Sequence, residues 1–280
     1  ATEILREALQ DESLDIGVDG IAASQHLLAK ASHAAAAQRV SEEIAVDVKA
    51  SAALLSAGGP GAGVWTNAPS LANQRLSHAQ FCIALRTRLH MTIPQCTGLC
   101  QHCRRNGTLC NATLDPHGYH ARICPTGGWL MKRHDAACAV LGSWCEEMGC
   151  QLEAGQKQWG EVLVPWAAPD RPEARMDLVI HVPNVASPLY VDLTVVSALS
   201  SDALSGGSAV RGGAAAEIAA RGKCNDYPNC SVTPFVIEDH GRLGEGALRL
   251  LRLIAPLEPA ERSKAIRTLH QSLGATLQRV

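Results

Sequence analysis

The sequence predicts an α/β protein: a helical N-terminal segment, a Cys/His segment, then an αβββαβ core closed by C-terminal helices. Three observations carry this. Apolar residues recur at helical spacing near both ends of the chain, and β-rich runs cluster in its second half with one helical run between the last two. Eight of the eleven cysteines fall between Cys96 and Cys150, alongside His102, His117, His120 and His134.

The elements follow in order. Residues 1–56 are Ala-rich, and "IAASQHLLAKASHAAAAQRVSEEIAVDVKASAALLS" spaces its larger apolar side chains for one or two helices. "AGGPGAG" (57–63) breaks that pattern, so 57–94 reads as a linker and a helix. Ser77 and Gln80 make a capping box for "HAQFCIALRTRLH", and Pro94 bounds the helix. The Cys/His segment occupies 95–127. From 128 to 280 the order is a helix (129–150), β-runs at 161–166, 175–182 and 189–196, a helix (214–227), a strand (232–239), and helices at about 245–255 and 259–278.

Bulk properties narrow the function. The 280 residues are 46% hydrophobic and 19% charged, with a net charge of −2, so no overall basic field draws the chain to nucleic acid. No stretch of about 18 apolar residues and no basic-then-apolar leader occurs, which predicts no membrane span and no secretion. A start at Ala1 reads as a piece of a longer chain. Cys and His clustered at short spacing in an unsecreted chain favour metal over disulfides. Within "CTGLCQHCRRNGTLCNATLDPHGYHARIC", Cys100-x2-Cys103 and His120-x3-Cys124 have zinc-ligand spacing, and Cys110 rivals Cys100. The expectation is one structural Zn²⁺ held by four of Cys100, Cys103, Cys110, His120 and Cys124. Free thiols in a polar loop are the bland alternative, and a redox role for Cys100-x2-Cys103 lacks the βαβ context it needs. Cys138, Cys145 and Cys150 sit at helical spacing, where small buried thiols are the default.

Two acids interrupt β-runs: Asp177 in "RMDLVIH" and Asp192 in "YVDLTVV", with fourteen residues between them. A hairpin brings them side by side, where two carboxylates repel or recruit a cation such as Mg²⁺. Lys223 and Tyr227, four apart, project from one helix face. A strand-end acid and a surface lysine are the ordinary alternative.

Together these residues resemble a family. "LLSAGGPGAGVW", "LDPHGYHARICPTGG", "KRHDAAC", "RMDLVIHV", "YVDLTVVSALS", "EIAARGKCNDY" and "LHQSLGATLQR" resemble, in order over about 54–280, the C-terminal region of non-LTR retrotransposon polyproteins. In that family a zinc knuckle precedes a restriction-like endonuclease of the PD-(D/E)xK type. The resemblance implies that Asp177 and Asp192 bind catalytic Mg²⁺ and that Lys223, displaced to the following helix because Thr194 stands two residues after the second acid, assists catalysis. It implies supporting roles for His134, within Arg133-His134-Asp135, and for Tyr227. Met176 replaces the expected Pro, and Gly222 adjoins Lys223. The implied function is nicking of target DNA for target-primed reverse transcription, with the reverse transcriptase absent from this chain. The alternative is a decayed, zinc-knuckle nucleic-acid-binding fragment of the same element. Implied partners are target DNA, the element RNA and the reverse-transcriptase domain of the same polyprotein, in the nucleus or otherwise the cytoplasm. Arg104, Arg105, Arg122, Lys132 and Arg133 are the expected phosphate-contacting cluster.

Overall fold

Apolar β-runs at 178–181, 189–196 and 232–238 come together as a mixed sheet in the computed structural model, which describes residues 34–36, 38–40, 42, 44–104, 106–153 and 161–279. The chain divides into two compact units, Ala1–Ser51 and Ala52–Val280. In the first, residues 34–36 and 38–40 are helical, and Gln38 Nε2 donates to Glu42 Oε1 at 3.0 Å, one turn along. The helix expected over 1–56 falls for the most part outside the described residues. Asp47 caps helix α1 (Val48–Ala57), its Oδ1 accepting from the Lys49 and Ala50 N–H groups at 2.9 and 3.0 Å.

In the second unit, α2 (His78–Arg88) begins at the Ser77–Gln80 capping box expected from the sequence. Helix α3 (Tyr119–Ile123) lies within the Cys/His segment, and α4 (Trp129–Glu147) follows it. Next come β1 (Gln151–Leu152), β2 (Val162–Leu163), β3 (Arg175–Met176), β4 (Leu178–His181) and β5 (Leu189–Val196). Short α5 (Ser201–Ser205), α6 (Ala214–Asp226), β6 (Val232–Glu238), α7 (Glu245–Ile254) and α8 (Pro259–Arg279) complete the order.

Strands β1-β4-β5-β6 form one sheet, antiparallel except for the parallel β5–β6 pair, which α5 and α6 connect; β2 pairs with β3. Both ladders follow one edge, because Glu153 N–H donates to Val179 O and Glu161 N–H to Asp177 O. The protein is thus a mixed α/β structure with a small mixed sheet flanked by helices. "EVLVPW" gives less strand than its composition promises: β2 has two residues, and Pro165–Ala167 turns as a 3₁₀ helix. Pro lacks the N–H a ladder needs and its fixed φ suits the start of a helical turn.

The main core packs Leu178, Ile180, Val191, Leu193, Phe235 and Ile237 from the strands against Leu141 and Trp144 of α4, Leu250 and Leu251 of α7, and Leu269 of α8. Across the sheet, Met176, Val179 and Tyr227 form a separate cluster. Met176 and Leu178 are two apart and should share a face, yet they pack in different clusters. The residue between them, Asp177, lies outside both strands, so the alternation slips there as it does at a bulge. That slip positions the site. Among the described residues no helix is long and apolar enough to cross a membrane.

Candidate metal centre and carboxylate site

Two groups of side chains converge in the second unit. The first lies in the Cys/His segment. Leu99 bridges Thr113 and Cys103 bridges Leu109, so residues 99–103 and 109–113 run as the two arms of an irregular hairpin. Cys100 N–H donates to Ala112 O at 2.8 Å and Cys110 N–H to His102 O at 2.8 Å, which sets Cys100 and Cys110 on facing arms. Asp115 then organises α3: its carboxylate accepts from the N–H groups of His117 (3.0 Å), Tyr119 (2.9 Å) and His120 (2.7 Å). Burial pushes the Asp115 carboxyl up, but the bonds from His120, Tyr119 and His117 outweigh it and hold the group below its ordinary value. Gly118, at φ +74°, gives the turn into the helix a conformation side chains avoid.

His120 and Cys124, one helical turn apart, therefore face the hairpin. Cys100 Sγ lies 3.8 Å from Cys124 Sγ, and Cys110 Sγ lies 3.4 Å from His120 Nε2. Zinc with bonds of about 2.3 Å to sulfur and about 2.0 Å to nitrogen separates its tetrahedral ligands by nearly these distances. Cys100, Cys110, His120 and Cys124 form a cluster whose donors can hold a metal ion such as zinc. The Cys110 thiol is lowered to about 7, first by the hydrogen bond from the Ala112 backbone, then by Cys124, His120 and Cys100.

Cys103 is not part of the cluster. Three residues along an extended arm reverses the facing of a side chain, and its thiol is exposed and bonds to Arg104 O at 3.2 Å. The C-x2-C spacing suits a tight turn, whereas this segment is hairpin.

The second group surrounds a cavity of 390 Å³ lined by His134, Glu161, Asp177, Asp192, Lys223 and Tyr227 among others. Asp192 is buried in β5. Lys223, on α6, reaches it with Nζ 2.8 Å from Oδ1. Burial raises the Asp192 carboxyl and the Asp177 charge adds to the rise, while Lys223 opposes it. Asp177 bridges the gap left by the bulge, its Oδ2 accepting from Leu193 N–H at 2.6 Å. His134 Nε2 stands 3.3 Å from that oxygen and 3.1 Å from Leu193 O, with Nδ1 3.2 Å from Asp135 Oδ1. Acceptors at both ring nitrogens suit imidazolium. The hydrogen bond to Asp177, then that to Cys138, raises His134 to about 11 against the cost of burial. Tyr227 donates to Arg175 O at 2.6 Å, and its phenol is pushed up by burial and the Asp192 charge.

All five residues expected at this site, Asp177, Asp192, Lys223, His134 and Tyr227, line one cavity. Glu161 and Arg175 also line it. Sequence reasoning passed over them because a polar residue beside a short strand carries no periodic signal. Gly222 leaves α6 unbroken, and a Cβ added there would meet only open space.

The expected cationic cluster is dispersed. Arg133 is buried and donates through Nη2 to Arg122 O at 2.9 Å. Arg122 donates to Gln278 Oε1 at 3.0 Å and to Asp239 O, with Nε 3.8 Å from Asp239 Oδ2. Both guanidinium groups donate through Nη atoms to acceptors within the protein, so the reading that places them on a phosphate-contacting surface is corrected. Arg104 and Lys132 are exposed, Lys132 Nζ lying 4.3 Å from the Trp129 ring centroid; Arg105 lies outside the described residues.

A larger cavity of 680 Å³ opens elsewhere around α6, with Arg242, Glu217 and Arg221 in its lining. Glu245 lines it as well, Glu217 is engaged by Arg211, and the Ala216 N–H near it already bonds to Glu238 Oε1 at 3.4 Å. Size alone does not make it the reactive site. Compared with known proteins, the chain matches no protein-family model and no curated protein at a significant level.

Proposed function

We propose that this chain is a metal-dependent DNA endonuclease domain, of the restriction-like type found at the C-terminal end of non-LTR retrotransposon polyproteins. The observation that carries the reading is the convergence of Asp177 from the slip between β3 and β4, Asp192 from β5 and Lys223 from α6 on one open cavity. The main sheet supports it: α4 precedes β1, β4 and β5, and α6 precedes the parallel strand β6.

The residues present fit Mg²⁺: two carboxylates open to one cavity are hard oxygen donors, and ionising Asp192 within an apolar strand calls for a cation. When bound, such an ion activates water and neutralises charge on the phosphate. The chain's own groups supply the rest. Lys223, leaving Asp192 for the phosphate, orients the attacking water and steadies developing negative charge. His134 fixes the Asp177 carboxylate in place. Tyr227 anchors α6 to the strand through its bond to Arg175 O. Target DNA is the substrate, and the element RNA and reverse transcriptase of the same polyprotein are partners in the nucleus.

One observation favours a second reading, the catalytically decayed nucleic-acid-binding fragment. His134 on Asp177 and Lys223 on Asp192 already neutralise both acids without a metal. Nicking of supercoiled plasmid separates the two. The endonuclease reading expects Mg²⁺-dependent open circles, lost in Asp177→Asn, Asp192→Asn and Lys223→Ala. DNA binding without nicking at any Mg²⁺ concentration would overturn it in favour of the fragment.

A further inference from the structure

Asp177 belongs to a second constellation that the nuclease reading does not use. His134 and Cys138 are one turn apart on α4 and face Asp177 across the edge of the sheet. One donor atom from each of the three lies within 4.8 Å of the others. His134 Nε2 is 3.3 Å from Asp177 Oδ2 and 3.7 Å from Cys138 Sγ. A tetrahedral ion with bonds of about 2.0 Å to nitrogen and oxygen and about 2.3 Å to sulfur holds those pairs about 3.3 and 3.6 Å apart. The three side chains thus stand close to ligand spacing.

Their surroundings suit a bound ion. Cys138 is 4% exposed and sits at the wall of the apolar core, which shields a thiolate from water and oxidants. Asp177 is held by Leu193 N–H, so little rearrangement separates the present geometry from a liganded one. His134 and Asp177 line the open cavity, which gives solvent a route to them, and Leu193 O is 3.1 Å from His134 Nε2.

The geometry points to a binding site for a thiophilic divalent cation, of the zinc, cobalt or cadmium class, formed by His134, Cys138 and Asp177. The site is separate from the Cys100–Cys110–His120–Cys124 cluster. Mg²⁺ does not take thiolate and imidazole, whereas these ions prefer them. Asp177 is then shared between two alternative ions, a hard one with Asp192 and a soft one with His134 and Cys138. The binding claim stands without the nuclease reading; only its consequence, that the soft ion withdraws Asp177 and inhibits cleavage, rests on it.

The test is Co²⁺ titration of the full zinc-loaded chain, followed by thiolate-to-cobalt charge-transfer absorption and by elemental count of both metals. The expected result is a Co²⁺ equivalent taken up with zinc retained, with its charge-transfer band lost in Cys138→Ala and in Asp177→Asn. Cys145→Ala, a buried thiol on the same helix outside the group, should keep the band. Circular dichroism checks that each variant is folded, and Asp177→Asn decides the matter where Cys138→Ala is not. No uptake beyond the retained zinc, or a band that survives in either folded variant, would overturn the proposal. A protein that shows the band but never nicks DNA keeps this site and loses the nuclease reading.

Discussion

The Cys/His segment and the sheet site solve opposite problems. In residues 95–127 the backbone makes isolated bridges and a five-residue helix, and much of what is buried is the cluster itself: Cys100 and Cys124 are nearly inaccessible while Leu99 and Leu109 are exposed. In the sheet, Leu178, Ile180, Leu193, Phe235 and Ile237 are almost wholly buried before any charged group is considered. The first region needs its chemistry in order to have a shape. The second has a shape and carries its chemistry as a burden, offset by Lys223 and His134.

The sharpest way to break that contrast is to deny the Cys/His cluster any metal it can hold. A structural zinc contributes on the order of 10 kcal/mol to the folding of a segment this poor in core. Chelation, or Cys124→Ser, should abolish hydrogen-exchange protection at Cys100, Cys110 and Asn111 while β5 and β6 amides stay protected. Loss of protection in both regions together would show that the sheet depends on the metal too.

The two regions meet where Arg122 reaches Asp239, and His240 lies beside that contact. His240 is fully buried among Asp239, Arg122 and Arg88, and burial lowers its pKa to about 4, with Arg122 and Arg88 adding to the fall and Asp239 opposing it. A folded-state pKa below the unfolded value of about 6.5 gives stability that is complete above that value and lost as pH falls through 4. The loss should approach about 3 kcal/mol, and His240→Gln should flatten it. Urea midpoints at pH 7, 5.5 and 4 measure it; parallel curves for both proteins would contradict a neutral buried imidazole.

How much of this could be read from sequence divides along the same line. "LYVDLTVV" was legible in full because an apolar run of strand length admits few alternatives, and β5 spans those residues. The Ser77–Gln80 box fixed a helix start because capping is local. The mixed α/β class with its small mixed sheet was legible as well, and so was the company of the five side chains around the cavity. Gln151–Leu152 was not, since two residues carry no periodicity. Which of the five Cys/His residues stands outside the cluster, Cys103, was not legible, because spacing along the chain does not say whether the backbone turns or extends. Arg122 and Arg133 were miscast because charge on paper says nothing of an internal acceptor such as Asp239 or a backbone carbonyl. Asp115, which holds α3 in place, is an acid whose value lies in three backbone N–H groups that only folding assembles.

Within the sheet site the two acids should behave differently as structural groups. Asp177 carries the bond from His134, so Asp177→Asn strips an imidazolium of its partner and should cost about 2 kcal/mol, in the range of a lost charged hydrogen bond. Equilibrium urea unfolding at pH 7 gives this directly, and a change below about 0.5 kcal/mol would mean the pair is worth no more than an exposed one.

The smallest effect is expected at Asp192, the acid that first looks the most expensive. Its carboxyl is raised because burial within β5 and the Asp177 charge together outweigh Lys223. A folded-state pKa above the unfolded value means that the ionised group is a cost at neutral pH, and that stability from this residue is lost as pH rises through its folded pKa. Asp192→Asn removes the cost and still offers Lys223 an acceptor, and Lys223, with 28% of its side chain exposed, can turn to water. The variant should therefore match the wild type at pH 7 within about 1 kcal/mol, on the stable side, and the gap should close as the pH falls. Had the ion pair been placed there for stability, the same change would cost about 3 kcal/mol or more, the usual result of breaking a buried pair from one side. Melting both proteins at pH 7 and pH 5 tells these apart. An acid that can be neutralised without loss of fold, in the middle of an apolar strand, stands there for something other than the fold.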